Sequence, residues 1–322
     1  MNLQEAVETT RRIYDNIGKV IVGKQEVIEL LLASLFGNGH VLLEDVPGTG
    51  KTLLAKALAR SLDGEFKRIQ FTPDLLPSDL SGINFYNQKT GEFEFRPGPV
   101  FTHVLLADEI NRATPRTQSS LLECMEERQV TIDGVTHELT SPFFVMATQN
   151  PVDNQGTFPL PEAQLDRFLM RIEVGYPTFE EGVDILQRFQ LNNPLHELGP
   201  VAAGAEVRAV QRFTAGIAVS TDLLGYIVRI TEATRRHPDV RLGASPRASS
   251  ALLRAAQGIA LIQGRDYVTP DDIKRVAEPV LAHRLLVRHG LRLDDQQGSA
   301  IVRQLLGEVE VPAENMLTGR GK

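Results

Sequence analysis

Residues 41–61 read VLLEDVPGTGKTLLAKALARS: an apolar strand, a glycine-rich turn closing on Gly50-Lys51-Thr52, and a helical stretch. In that order the backbone N–H groups of the turn and of the helix N-terminus converge on a phosphate. The lysine places positive charge at the β- and γ-oxygens, and the next hydroxyl reaches Mg²⁺. Gly48, Thr49, Gly50, Lys51, Thr52 and Leu53, with Pro47 ahead of them, are the candidate phosphate-binding residues, and Thr52 is a candidate metal ligand. An incidental glycine turn is the competing reading, and the flanking strand and helix weigh against it. The G-x-x-x-x-G-K-T pattern normally opens on glycine, whereas this chain has Asp45 there. That departure bears on loop geometry more than on phosphate binding.

A loop of this kind needs a parallel sheet around it. Short apolar runs recur at 41–43 (VLL), 66–71 (FKRIQF), 103–107 (HVLLA), 143–147 (FFVMA) and 170–174 (MRIEV), separated by helical stretches. Runs apolar on both faces predict central strands wrapped by helices, so this half is α/β. After Pro177 the pattern predicts helices alone, several with defined starts such as Ser245-Pro246 and Thr269-Pro270, an N-cap before an N1 proline. The segment 192–200, NNPLHELGP, reads as the linker. With 322 residues the chain has room for about two domains. The expected division is a nucleotide-binding core over 1–197 and a smaller all-α domain over 198–322. Two hairpins interrupt the core. One, at about 72–100, carries aromatics on both sides of Lys89-Thr90-Gly91. The other, at about 128–139, turns at Asp133-Gly134, a type I′ signal. Surface decoration and client contact are equally open for both.

Asp108 and Glu109 end the run HVLLADE. Paired with the phosphate loop, Asp108 belongs on the Mg²⁺ sphere and Glu109 beside an attacking water, which favours hydrolysis over phosphoryl transfer to a small acceptor. A solvated strand end is the alternative. Asn150 follows the strand FFVMATQ at the sheet edge where α/β proteins place ligands, and can orient the water or cap the loop before Pro151. Arg247 lies in the first turn of a predicted helix, where the macrodipole disfavours a cation unless an anion is near. A γ-phosphate would be that anion; an ordinary surface arginine is the alternative.

Lys+Arg 34 against Asp+Glu 41 leaves a net charge of −7, which opposes non-specific binding to nucleic acid. Cys124 is the single cysteine, so no internal disulfide forms, and a reducing, cytoplasmic setting is expected. No secretory or membrane-spanning pattern stands out, and none of the seven histidines forms a spaced metal pair with another His or Cys.

The motifs DEINRA (108–113), ATQNP (147–151), LPEAQLDRF (160–168) and ASPRAS (244–249), in this order behind the phosphate loop, resemble the MoxR branch of the AAA+ ATPases over nearly the whole chain. The EDVPG form of the loop is familiar in that branch. The resemblance implies an αβα core with a parallel sheet, a helical lid, and a homo-oligomeric ring, usually a hexamer, with ATP and Mg²⁺ between neighbours. The hairpins resemble the helix-2 insert and pre-sensor hairpin of the clade. The resemblance implies that Asn150 is sensor 1, Arg167 the arginine finger and Arg247 the sensor 2 arginine, with Ile21, Val22 and Gly23 on the adenine side. Arg167 could instead pair with Asp166 or another acid, with Arg171 the alternative finger. The implied activity is ATP-driven, chaperone-like remodelling of partner proteins, with von Willebrand factor A domains among the partners. A chelatase-type ATPase subunit and a nucleic-acid motor or loader are the alternatives on the same fold.

Overall fold

The structure is a computed structural model that describes residues 1–44, 48–149, 156–191, 193–288 and 295–312. Its first half contains α1 (Leu3–Gly18), α2 (Gln25–Phe36), β1 (Val41–Glu44), α3 (Lys51–Ser61), β2 (Phe66–Gln70), α4 (Pro77–Ser81), β3 (Gly82–Asn87), β4 (Glu92–Pro97), β5 (Val104–Asp108), α5 (Pro115–Glu127), β6 (Gln129–Ile132), β7 (Val135–Glu138), β8 (Phe144–Gln149), α6 (Glu162–Leu165) and β9 (Met170–Ile172). The second half follows with α7 (Phe179–Leu191), α8 (Gly204–Ala215), α9 (Thr221–Arg236), β10 (Val240–Leu242), α10 (Pro246–Ile262), α11 (Pro270–Leu281), β11 (Leu286–Val287) and α12 (Asp295–Glu308).

The five strands expected from the apolar runs form one parallel sheet in the order β2-β5-β8-β1-β9. Alternation along the strands separates two packed layers. Val41, Leu43, Val104, Leu106, Phe144 and Met146 face α1, α2 and α3, whereas Leu42, Leu105, Ala107, Val145 and Ala147 face α5 with Leu121, Leu122 and Met125. Each such buried Val, Leu, Met or Phe side chain contributes about 1.5–3 kcal/mol, enough to hold the strand ends in place. β2 departs from the expectation of a two-faced apolar strand. It is the sheet edge, so Arg68 and Gln70 stay accessible, and its pairing sets Gln70 against Asp108.

Both hairpins form. Asp133 and Gly134 have φ of 49° and 81°, as a type I′ turn demands. The two hairpins also touch: the Phe95 and His137 rings stack at 4.1 Å, and Asn84 donates to Asp133 at 2.8 Å.

The second half is helical, with one addition to the expected all-α pattern, a short antiparallel pairing of β10 with β11. Ser245 caps α10 by accepting from the Ala248 N–H, with Pro246 at N1. The linker is less free than its prolines suggest. Leu195 and Leu198 are buried, Arg60 at the end of α3 donates to the Leu195 carbonyl, and Asn16 donates to Gly199 O at 3.0 Å. Helix α10 packs on α2, so the lid shares one continuous apolar core with α1, α2 and α3.

Candidate nucleotide site

Helix α3 begins directly at Lys51, and Gly50 before it has φ of 89°, as has Gly48. That conformation favours glycine and turns the backbone toward the helix N-terminus, where unsatisfied N–H groups and the helix dipole attract anions. A Cβ added at either glycine would meet no atom within 4 Å, so open space lies against the loop. A cleft of about 490 Å³ is lined by Gly48, Gly50, Lys51, Thr52, Leu53, Asp108, Glu109 and Thr148, with Arg68, Gln70 and Gln149. Residues more than fifty positions apart in sequence therefore meet at the carboxyl ends of β1, β5, β8 and β2, the place where open parallel sheets bind ligands.

The acids are held firmly. Asp108 accepts from the Thr148 hydroxyl at 2.5 Å and from Arg68 Nη2 at 2.6 Å. Thr148 Oγ1 in turn accepts from the Glu109 backbone N–H at 2.8 Å, so one threonine fixes both acids relative to β8. Glu109 sits in the left-handed region at φ 56°, a conformation that costs a non-glycine residue roughly 1–3 kcal/mol. Its carboxylate accepts from Gln70 at 2.6 Å and pairs with Arg112 at 3.0 Å. One carboxylate, one hydroxyl and a lysine beside a helix N-terminus form a hard-oxygen, anion-adjacent donor set, which fits Mg²⁺ carried on a nucleotide phosphate. Arg112 and Thr148 lie inside the motifs DEINRA and ATQNP, and Arg68 and Gln70 inside the run FKRIQF, but the sequence assigns none of the four a role at the site. For Thr148 the local signal is a strand-end hydroxyl two residues before the candidate Asn150.

Arg167 and Arg247 are brought together, but in a second cavity, of about 520 Å³, which shares no lining residue with the cleft. Both pair with the Glu126 carboxylate of α5, Arg167 at 3.1 Å to one oxygen and Arg247 to the other. The anion beside the first turn of α10 is thus Glu126. Arg128, Arg254 and Arg284 also line the cavity, and burial with the nearby Arg254 charge lowers the Arg128 pKa to about 10. Asp166 turns away from Arg167 and accepts from Arg284 at 2.7 Å and from Ser245 at 2.9 Å. The alternative finger Arg171 is set aside: it lies on β9, buried, and pairs with Glu44 of β1 at 3.0 Å, so it presents no cation at the surface.

Ile21, Val22 and Gly23 connect α1 to α2 and do not line the cleft. Gly23 has φ of 70° and approaches Glu181 so closely that a Cβ would stand 1.9 Å from its carboxylate. Lys24 donates to Tyr176 O at 2.9 Å across the same contact. Pro47, Asp45 and Asn150 lie outside the described residues.

The sheet order, phosphate loop, paired acids and helical lid define a AAA-type ATPase fold. The model of the ATPase family associated with various cellular activities matches residues 40–170, and the AAA lid domain model matches 232–305. The chain is 42% identical to the chaperone MoxR1 of Mycobacterium tuberculosis, over 99% of this chain and 86% of that protein. It is 52% identical to the uncharacterised protein YeaC of Bacillus subtilis, over 93% and 94%. The crystal structure of a candidate ATPase from Cytophaga hutchinsonii superposes with a TM-score of 0.87 at 39% identity, covering 96% of this chain and 98% of that one. The chain belongs to the MoxR family of AAA+ ATPases.

Proposed function

We propose that the protein hydrolyses ATP between subunits of a homo-oligomeric ring, probing and remodelling protein partners as a cytoplasmic chaperone-like machine. The observation that carries this reading is the single cleft in which Lys51 and Thr52 of α3 face the Thr148-pinned pair Asp108 and Glu109. Lys51 binds the phosphates in the ground state. Mg²⁺, when bound with the nucleotide, neutralises phosphate charge, and Thr52 with Asp108 are the residues that would hold it. Glu109 acts on the attacking water, taking its proton as the γ-phosphoryl group leaves the β-phosphate. Gln70 and Arg112 occupy the Glu109 carboxylate meanwhile and keep the base oriented but engaged. Asn150 is the residue that would orient the water.

A ring is supported by the separation of Arg167 and Arg247 from the cleft of their own chain. An arginine held outside its own chain's cleft can serve a γ-phosphate by reaching across an interface. Helix α7 also presents Phe179, Val183 and Leu186 at i, i+4 and i+7, exposed by 83, 40 and 73%, the kind of stripe a neighbouring subunit covers. A protein client is supported by the hairpin aromatics Tyr86 and Phe93, which are exposed, and a hexamer acting on von Willebrand factor A partners is the form the family resemblance favours. The lone buried thiol Cys124 supports a reducing location.

Lys51→Ala should abolish ATP binding, whereas Glu109→Gln should keep binding and lower turnover by orders of magnitude. Nucleotide affinity by fluorescence titration and steady-state phosphate release measure the two separately. Normal turnover in Glu109→Gln would remove Glu109 from the mechanism.

A further inference from the structure

Two segments that donate arginines are tied by a buried polar knot that includes neither arginine. Arg284, just beyond α11, is buried; burial lowers its pKa, and the hydrogen bond and charge of Asp166 oppose that shift. Its guanidinium donates from Nε to Asp166 Oδ1 at 2.7 Å, from Nη2 to Phe168 O at 2.5 Å and to Asp166 O at 3.2 Å, and from Nη1 to Leu169 O at 3.2 Å and to Val280 O. The acceptors on Asp166, Phe168 and Leu169 hold the chain on both sides of Arg167. The second carboxylate oxygen of Asp166 accepts from Ser245 at 2.9 Å, and Ser245 is the N-cap of α10, two residues before Arg247. A buried ion pair of this kind contributes little net stability over an apolar replacement, because desolvation offsets the attraction. Its geometric effect is large: it fixes a core loop and a lid helix at one relative position.

We propose that Asp166, held by Arg284 and Ser245, is a positioning residue that sets Arg167 and Arg247 side by side as one unit presented to the nucleotide of the neighbouring subunit. The proposal rests on the interface reading given above. Glu126, which binds one arginine with each oxygen, occupies the place of the incoming anion and leaves both side chains aimed at the same point. Misplacement by about 1 Å costs up to roughly 100-fold in rate, so a loosened knot depresses turnover without touching the phosphate cleft.

The test uses full-length protein and three variants of the knot. Ser245→Asp keeps an N-capping side chain while setting a second carboxylate against Asp166, Ser245→Thr keeps both the cap and the bridge, and Asp166→Asn keeps the shape but removes the charge. The expected result is a roughly 10- to 100-fold loss of turnover at saturating ATP in Ser245→Asp and Asp166→Asn, with KM and nucleotide affinity unchanged and Ser245→Thr close to parent. Mixed rings separate this defect from general damage. Ser245→Asp protein mixed with Glu109→Gln should recover activity, because each chain supplies the half that the other lacks, whereas Ser245→Asp mixed with Arg167→Ala should not. Parental turnover in both Ser245→Asp and Asp166→Asn, or recovery in the Arg167→Ala mixture, overturns the proposal. Arg167→Ala mixed with Glu109→Gln is the control. If that pair fails to recover despite subunit exchange, the interface reading itself fails and the proposal falls with it.

Discussion

His40 is satisfied only as a neutral ring: its Nδ1 accepts from the Val145 N–H at 2.9 Å, which leaves the Nε2 proton for Met125 O at 3.1 Å. Burial, and then the Arg128 charge, hold its pKa well below the ordinary value. His283 is equally buried and is depressed by burial and by Arg284 and Arg171. An unfolded imidazole titrates near pH 6.5, so above that value both states are neutral and stability is independent of these two groups. Below it the unfolded chain binds protons that the native chain refuses, and stability falls with pH at up to about 1.4 kcal/mol per unit for each ring, until the native pKa is reached. Urea midpoints at pH 7.5, 6.5 and 5.5 should drop across the last interval, and less so in His40→Gln; a flat series would mean that the rings protonate in place. At this scale the sequence exposed what is local. Lys51, Thr52, Asp108 and Glu109 lie in contiguous motifs, and all four reach the cleft. The roles of Thr148, Gln70 and Glu126 depend on which strand or helix lies alongside, which no single segment encodes.

The elements were legible where periodicity and turn chemistry agree. The five sheet strands, the Asp133-Gly134 turn and the Ser245 cap all form as expected. The β10–β11 pairing was not, being too short to carry an alternating pattern. Nor was the contact of one hairpin with the other, since Phe95 and His137 lie on separate strands with no shared motif. The insert hairpin rests on a close backbone approach at its base. A Cβ on Gly98 would stand 2.1 Å from Leu80 O and 2.6 Å from the Gly82 N, and Gly82 itself has φ of 94°. These are backbone atoms, so no side-chain rotation relieves the clash. Gly98→Ala should therefore cost about 1–3 kcal/mol locally, opening β3–β4 while α3 keeps its structure. Hydrogen exchange should show lost protection in residues 82–97 with ATP affinity retained; unchanged protection there would show that the hairpin base adjusts without opening.

Across the whole molecule, the question is whether nucleotide moves the lid against its own core. The linker composition suggests a hinge at 192–200, with Arg247 reporting the γ-phosphate. Three features of the packing oppose a free hinge. The linker carbonyls are held by Asn16 and Arg60, Arg284 of the lid is buried against the core loop at 166–169, and α10 meets α2 at a crossing made close by small residues. A Cβ on Gly258 would lie 2.7 Å from Ala33 O and 2.8 Å from Ala33 Cα. A ligand shifts a conformational equilibrium only through its differential affinity for the two states, and Arg247 lies apart from the cleft of its own chain. Among the described residues no lid arginine lines that cleft, so in the proposed ring the distinction between ATP and ADP would be made between chains. Spin labels at the exposed positions Arg116 and Asp222, after Cys124→Ser, should give nearly the same intrachain distance with ATP and ADP, while interchain distances between labelled Arg116 sites change. Gly258→Leu, which wedges α10 from α2, should broaden the intrachain distribution in both states. A large intrachain change on exchanging ATP for ADP in the parent protein would restore the hinge at 192–200 and return Arg247 to its own nucleotide.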